Sequence, residues 1–216
     1  MRGKLIAAAG LLACALAGNL TAQGIAIMPF GGYAIAGTLA EDDATGDKFT
    51  MNPAMVLGIQ VELGLSKNLG IDVGVNKTFS QTFDAEGPTL GPATEVDIEM
   101  TQITGSLVIR PGGRRPNGGV TPLFFEVGGG VTMYGFGSAA ASFSDFDATK
   151  PMFFAGAGYN LPVGPRATIQ IFGRAQMITA YESSGLDSFN QQPPPTNIEG
   201  KSMLNFQVGA GFRWGR

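Results

Sequence analysis

Met55-Val56-Leu57-Gly58-Ile59-Gln60-Val61-Glu62-Leu63-Gly64-Leu65, the turn Ser66-Lys67-Asn68, and Leu69-Gly70-Ile71-Asp72-Val73-Gly74-Val75-Asn76 decide how this chain folds. In both runs nearly every odd-numbered residue is Leu, Ile or Val. Most even-numbered ones are Gly, Gln, Glu, Asp or Asn. A period of two puts the first set on one face of a β-strand and the second on the other. Two such runs joined by a short polar turn form an antiparallel hairpin.

The pattern recurs along the chain. Leu123, Phe125, Val127, Val131 and Met133 alternate with Glu126, Gly128, Gly130 and Thr132. Phe153, Ala155, Ala157, Tyr159 and Leu161 alternate with Phe154, Gly156, Gly158 and Asn160. Ile169, Ile171, Ala175 and Met177 oppose Thr168, Gln170, Arg174 and Gln176, and a last run over 204–214 ends in Phe212 and Trp214. Residues 25–39 contain Pro29 and read in either phase. In 95–110 the apolar phase changes, from Val96, Ile98 and Met100 to Ile103, Leu107 and Ile109; a one-residue bulge near Thr101-Gln102 would restore it. That makes eight strands. Short connections at 66–68, 111–121 and 162–166 alternate with long polar ones at 40–54, 80–94, 137–150 and 182–201.

Composition narrows the class. Apolar residues are 44% and charged residues 14% of 216, and Gly is 33. The charged share lies far below the roughly 25% of ordinary soluble domains. A net charge of −3 offers no basic stripe for nucleic acid. His is absent and Cys14 is the single cysteine. Triads that rely on His, His zinc sites and an intrachain disulfide are therefore excluded.

Residues 1–22 read as a cleavable signal peptide. Arg2 and Lys4 precede the apolar run 5–18, and Leu20-Thr21-Ala22 offers a small residue at the cleavage position. Leu11-Leu12-Ala13-Cys14 spells a lipoprotein-like box, but cleavage there would truncate the apolar core. Residues 23–216 form the single mature domain. The run 5–18 is shorter than the ~20 residues a membrane-spanning helix needs, and no later stretch reaches that length. A sheet that meets hydrocarbon must close, because an open edge would leave backbone groups unbonded. The expected fold is therefore all-β: an eight-stranded antiparallel up-and-down transmembrane β-barrel with long extracellular loops and short periplasmic turns. The Leu, Ile and Val face turns to lipid. The Gly, Gln, Asn and Thr face, poor in Lys, fills a narrow bore.

Gln207-Val208-Gly209-Ala210-Gly211-Phe212-Arg213-Trp214 resembles the C-terminal assembly signal of bacterial outer-membrane proteins, with Gln207, Gly209, Phe212 and Trp214 at its defining positions. The stretches 122–130 and 154–159, with Pro29-Phe30-Gly31-Gly32-Tyr33, resemble strands of the small outer-membrane β-barrel family, which includes OmpA-like, OmpW-like and opacity-type barrels. The likeness runs over the whole mature chain by pattern. Gly215-Arg216 extends past the terminal aromatic, where many members stop. The resemblance implies export, periplasmic chaperones, insertion by the barrel-assembly machinery and residence among outer-membrane lipids. It implies no specific activity.

Glu62, Asp72, Glu126, Arg174 and Arg213 fall on the inward phase, with Arg110 a further candidate. Charges in a narrow bore must pair, so these residues are expected to form an interior network that plugs the barrel or gates an ion path. Phe30, Tyr33, Phe79, Phe83, Tyr134, Phe136, Tyr181 and Trp214 lie near strand ends and suit interfacial aromatic girdles. Glu41-Asp42-Asp43 with Asp47 is acidic, without the spacing of a calcium loop. No catalytic, cofactor or metal residue is assigned, and the chain is expected to be a monomer. The leading reading is a non-enzymatic outer-membrane barrel serving envelope integrity, surface interaction or limited small-solute passage. Two others stand beside it: a secreted lipocalin-like barrel holding an apolar ligand, and an OmpW-like conduit for small hydrophobic compounds, which inward Phe124, Phe154 and Phe172 keep open.

Overall fold

The structure is a computed structural model that describes residues 24–42, 46, 48–87, 91–112, 122–136, 148–179, 198–200 and 202–215. The signal segment 1–22 lies outside them. Among the described residues there are twelve strands: β1 (Ile25–Ile35), β2 (Thr38–Asp42), β3 (Lys48–Met51), β4 (Ala54–Gly64), β5 (Leu69–Phe79), β6 (Gln81–Gly87), β7 (Gly91–Ile109), β8 (Leu123–Phe136), β9 (Ala148–Pro162), β10 (Ala167–Ile178), β11 (Ile198–Gly200) and β12 (Met203–Gly215).

Eight of them make the barrel wall. Antiparallel ladders run β1–β4–β5–β7–β8–β9–β10–β12, and β12 pairs with β1 to close the ring. The stagger can be read from the register. Starting at Ala26, the partners are Glu62, Asp72, Ser106, Gly128, Phe154, Gln176 and Asn205. Ala26 itself pairs with Gly215 on β12, ten residues (215 − 205) from where the circuit arrives. Closing the sheet with such an offset tilts the strands, and a ring of this size leaves room for side chains and no open channel.

The faces divide as the alternation requires. Leu57 and Ile59 on β4, Ile171 on β10 and Phe212 on β12 are 45, 44, 50 and 48% exposed on the outer wall. Their even-numbered and odd-numbered counterparts, Gln60, Glu62, Gln170, Arg174 and Arg213, are buried inside. β1 resolves to one phase, with Ala26, Met28, Phe30 and Ala34 inward and Ile25, Ile27, Tyr33 and Ile35 outward. At the tight turn after β4, Ser66 Oγ accepts from the backbone N–H of Asn68 (3.3 Å) and Leu69 (3.1 Å). Such local side-chain bonds are why a serine opens this turn.

Three sequence expectations need correction. The bulge is not at Thr101-Gln102. Lys77 pairs with Thr101 while Gln81 pairs with Ile98, so the extra residue lies on the opposite strand, beside Ser80, whose φ is +53°. Thr78 spans the defect: its hydroxyl donates to the Met100 carbonyl (3.3 Å) and accepts from the Met100 N–H (3.1 Å). β7 itself keeps strict alternation, so Ile98 and Met100 face the bore and Ile103, Leu107 and Ile109 face out. The phase change is in the chemistry of the bore, not in the backbone. Secondly, parts of the long connections are strand. β2 pairs with β3, β3 with β6, β6 with the first half of β7, and β11 with β2, which raises one side of the wall at the long-loop end. Thirdly, Phe30 and Tyr134 are not girdle residues. Both are buried inside, whereas Tyr33, Phe79 and Trp214 stand on the outer surface. The side chains of Phe83 and Phe136, all of Tyr181, and the acidic side chains of 41–43 and 47 lie outside the described residues.

Candidate functional site in the barrel bore

β10 alone shows how the bore is filled. From the short-turn end its inward residues are Thr168, Gln170, Phe172, Arg174, Gln176 and Ile178. Polar, aromatic, charged, amide and aliphatic layers follow one another.

Nearest the short turns, Glu62 on β4 binds two guanidinium groups. Arg110, just past β7, donates from Nη2 to Glu62 Oε2, and Arg213 on β12 donates from Nε to the same oxygen at 3.1 Å. Asp72 is the register partner of Glu62 on β5, and both point inward. Two carboxylates directly opposite repel; the two arginines on Glu62 offset this. Asp72 Oδ1 has no hydrogen-bond partner.

One layer higher, Arg174 forms a two-pronged pair with Glu126 on β8. Its Nε lies 2.5 Å from Oε1 and its Nη2 lies 2.9 Å from Oε2. Both side chains are buried to within 2%. The parallel fork fixes geometry better than a point charge would. Three rings enclose the guanidinium carbon, with centroids at 4.6 Å (Phe172), 5.3 Å (Phe154) and 5.9 Å (Phe30). Phe30 meets Phe172 edge-on at 5.4 Å. Away from water, such cation–ring contacts add to the ion pair.

The rings fit because glycines face them. Phe30 pairs in register with Gly58, Phe124 with Gly158, Phe154 with Gly128 and Phe172 with Gly209. A Cβ on Gly58 would come 2.5 Å from Phe30 Cζ, on Gly209 2.7 Å from Phe172 Cζ, and on Gly128 2.8 Å from Phe154 Cζ. Close approach, not backbone freedom, requires glycine there.

Above the rings an amide chain crosses the bore. Gln102 donates to Gln176 (3.2 Å), and Gln176 donates to Gln207 (2.7 Å). Higher still the lining turns apolar, with Met51, Ile98, Met100, Met152, Ile178 and Met203 all buried. The bore is thus ionic at the short-turn end, aromatic around one ion pair at mid-height, and methionine-rich near the long loops.

Of the inward candidates, the structure joins Glu62 to Arg213 and Glu126 to Arg174 and adds Arg110 as a full member. Asp72 sits beside the lower group without an ion pair among the described residues. In the C-terminal motif, Gln207 ends the amide chain, Gly209 faces Phe172, and Phe212 and Trp214 stand on the outer wall. Phe30 was legible as inward only once its strand's phase was known; its rank among aromatic side chains near strand ends pointed elsewhere.

A closed eight-stranded antiparallel barrel with an apolar exterior and a polar interior is the architecture of small outer-membrane barrels. Two solved structures share it: Neisserial surface protein A (NspA), with TM-score 0.52 and 11% identity over 88% of this chain and 96% of that one, and the outer membrane protein OprG from Pseudomonas aeruginosa, with TM-score 0.52 and 14% identity over 91% and 98%. At such identities the likeness is one of fold. No protein family and no curated protein matches the chain by sequence.

Proposed function

We propose that this chain is a non-enzymatic integral outer-membrane barrel whose axis is closed at rest. One observation carries the reading: aliphatic and aromatic side chains cover the outer wall while the ion pairs and amides are buried in the bore. In water that arrangement would leave a large apolar belt exposed, far beyond the few hundred Å² usual for soluble monomers. In a bilayer it is the stable one. A secreted lipocalin-like protein would put the apolar face inward around its ligand. Export through residues 1–22, periplasmic chaperones and the barrel-assembly machinery reading Gln207, Gly209, Phe212 and Trp214 complete the proposal. The chain would act as a monomer, through surface contacts of its long-loop end and support of the envelope. The test is fractionation with electrophoresis. The protein should sediment with the outer membrane and run faster when unheated; a detergent-free soluble protein with no heat shift would refute it.

Small-solute passage along the axis would require the Arg174–Glu126 fork to open. In planar bilayers, Glu126→Ala should conduct more than the wild type; equal conductance counts against gating by this pair. A second reading has its own support. The methionine-rich lining near the long loops suits a small hydrophobic compound. The ionic layers below would turn such a molecule away from the axis, so an OmpW-like conduit here would need a sideways exit. Uptake of a hydrophobic dye into vesicles carrying the protein tests it.

A further inference from the structure

Among the described residues, Asp72 Oδ1, Gln60 Oε1 and Arg213 Nη2 in the lower bore have no hydrogen-bond partner. Their residues are 5, 3 and 4% exposed. The three residues line one cavity of about 10 Å³, together with Glu62, Gln170, Ala26 and Met28. Such orphaned groups are costly, since a buried donor or acceptor keeps its full desolvation penalty until it is paired. The residues belong to different strands, β4, β5 and β12, and border a single space.

We propose that this cavity is a binding site for one water molecule, which donates to Asp72 Oδ1 and Gln60 Oε1 and accepts from Arg213 Nη2. The volume is that of roughly one water-sized probe, and buried waters ordinarily make about three hydrogen bonds. The donor count decides the ligand. Two acceptors and one donor match the two protons and the oxygen of water. A metal cation would leave Arg213 Nη2 unpaired and add positive charge beside it. An anion would face the Asp72 carboxylate. A neutral ligand adds no charge to a layer that already holds Glu62, Asp72, Arg110 and Arg213. With the water in place, Asp72 is tied to Arg213, and the lower layer becomes one continuous network from β5 to β12.

A high-resolution crystal structure of the full mature protein, grown once with sodium and once with rubidium salt, tests this. The expected result is one density peak about 2.6–3.2 Å from all three atoms, the same in both crystals and without anomalous signal. An anomalous rubidium peak there would make the site a cation site and overturn the proposal. So would a direct Asp72–Arg213 contact that fills the space. Gln60→Met, which keeps both Glu62–arginine pairs, supplies a second readout. The wild type should show a nuclear Overhauser cross-peak from the Arg213 guanidinium protons to long-lived water, and the variant should lose it. A cross-peak of equal intensity in both would overturn the assignment.

Discussion

Single residues in this barrel act through the partner they leave behind. Removing Glu126 strands Arg174 among three rings, and an uncompensated buried charge costs about 3–5 kcal/mol. Glu126→Ala should lose that much in urea unfolding in micelles, whereas Glu126→Leu with Arg174→Met should fall close to the wild type. A loss below about 1 kcal/mol in the single variant would mean the pair is not desolvated. Glycines split in the same way. Gly58→Val would push into the Phe30 ring, and overpacking of this kind costs about 1–3 kcal/mol. A Cβ at Gly173 meets nothing within 4 Å. Gly173→Ala should therefore be neutral or gain up to about 1 kcal/mol, because Ala holds an extended backbone better than Gly does. The same unfolding curves check both. The inward charges were legible in the sequence because phase is a local property. Their partners were not, since Arg213 and Glu62 stand 151 residues apart and meet only across the closed ring.

β7 shows where strand-level reading stops. A change in the apolar phase has two causes: the backbone can slip by a residue, or the environment of the face can change. The sequence of 95–110 is compatible with both, and period counting prefers the slip. The deciding information sits on the neighbouring strand, where Ser80 takes the extra residue, and at the methionine-rich end of the bore, which accepts Ile98 and Met100. Spin labels at 99, 101, 103 and 105 should collide with oxygen dissolved in lipid, and labels at 98, 100 and 102 should not. A reversal at 98 and 100 would restore the bulge to β7. Ile103→Lys, on the outer wall, should cost about 2–4 kcal/mol if it lies near the bilayer midplane, read from refolding into vesicles. For the same reason Phe30 and Tyr134 could not be placed from strand-end position alone, because a girdle needs the outward phase as well as the right height.

For the molecule as a whole, the eight-strand count and the division of faces followed from alternation and turn spacing, while the raised wall of β2, β3, β6 and β11 did not. Those segments are polar and short, and only pairing with one another reveals them as strands. The stagger of the ring has a consequence for what fills it. Circumference is set by strand number and offset, both held by backbone hydrogen bonds, and none of that depends on Phe30, Phe124, Phe154 or Phe172. Since each ring rests against a glycine, trimming all four to alanine leaves no side chain on the facing position to take its place. The cylinder should stay standing around an emptied waist, less stable yet still shifting on unheated gels, so that its contents can be rewritten while its outline is kept.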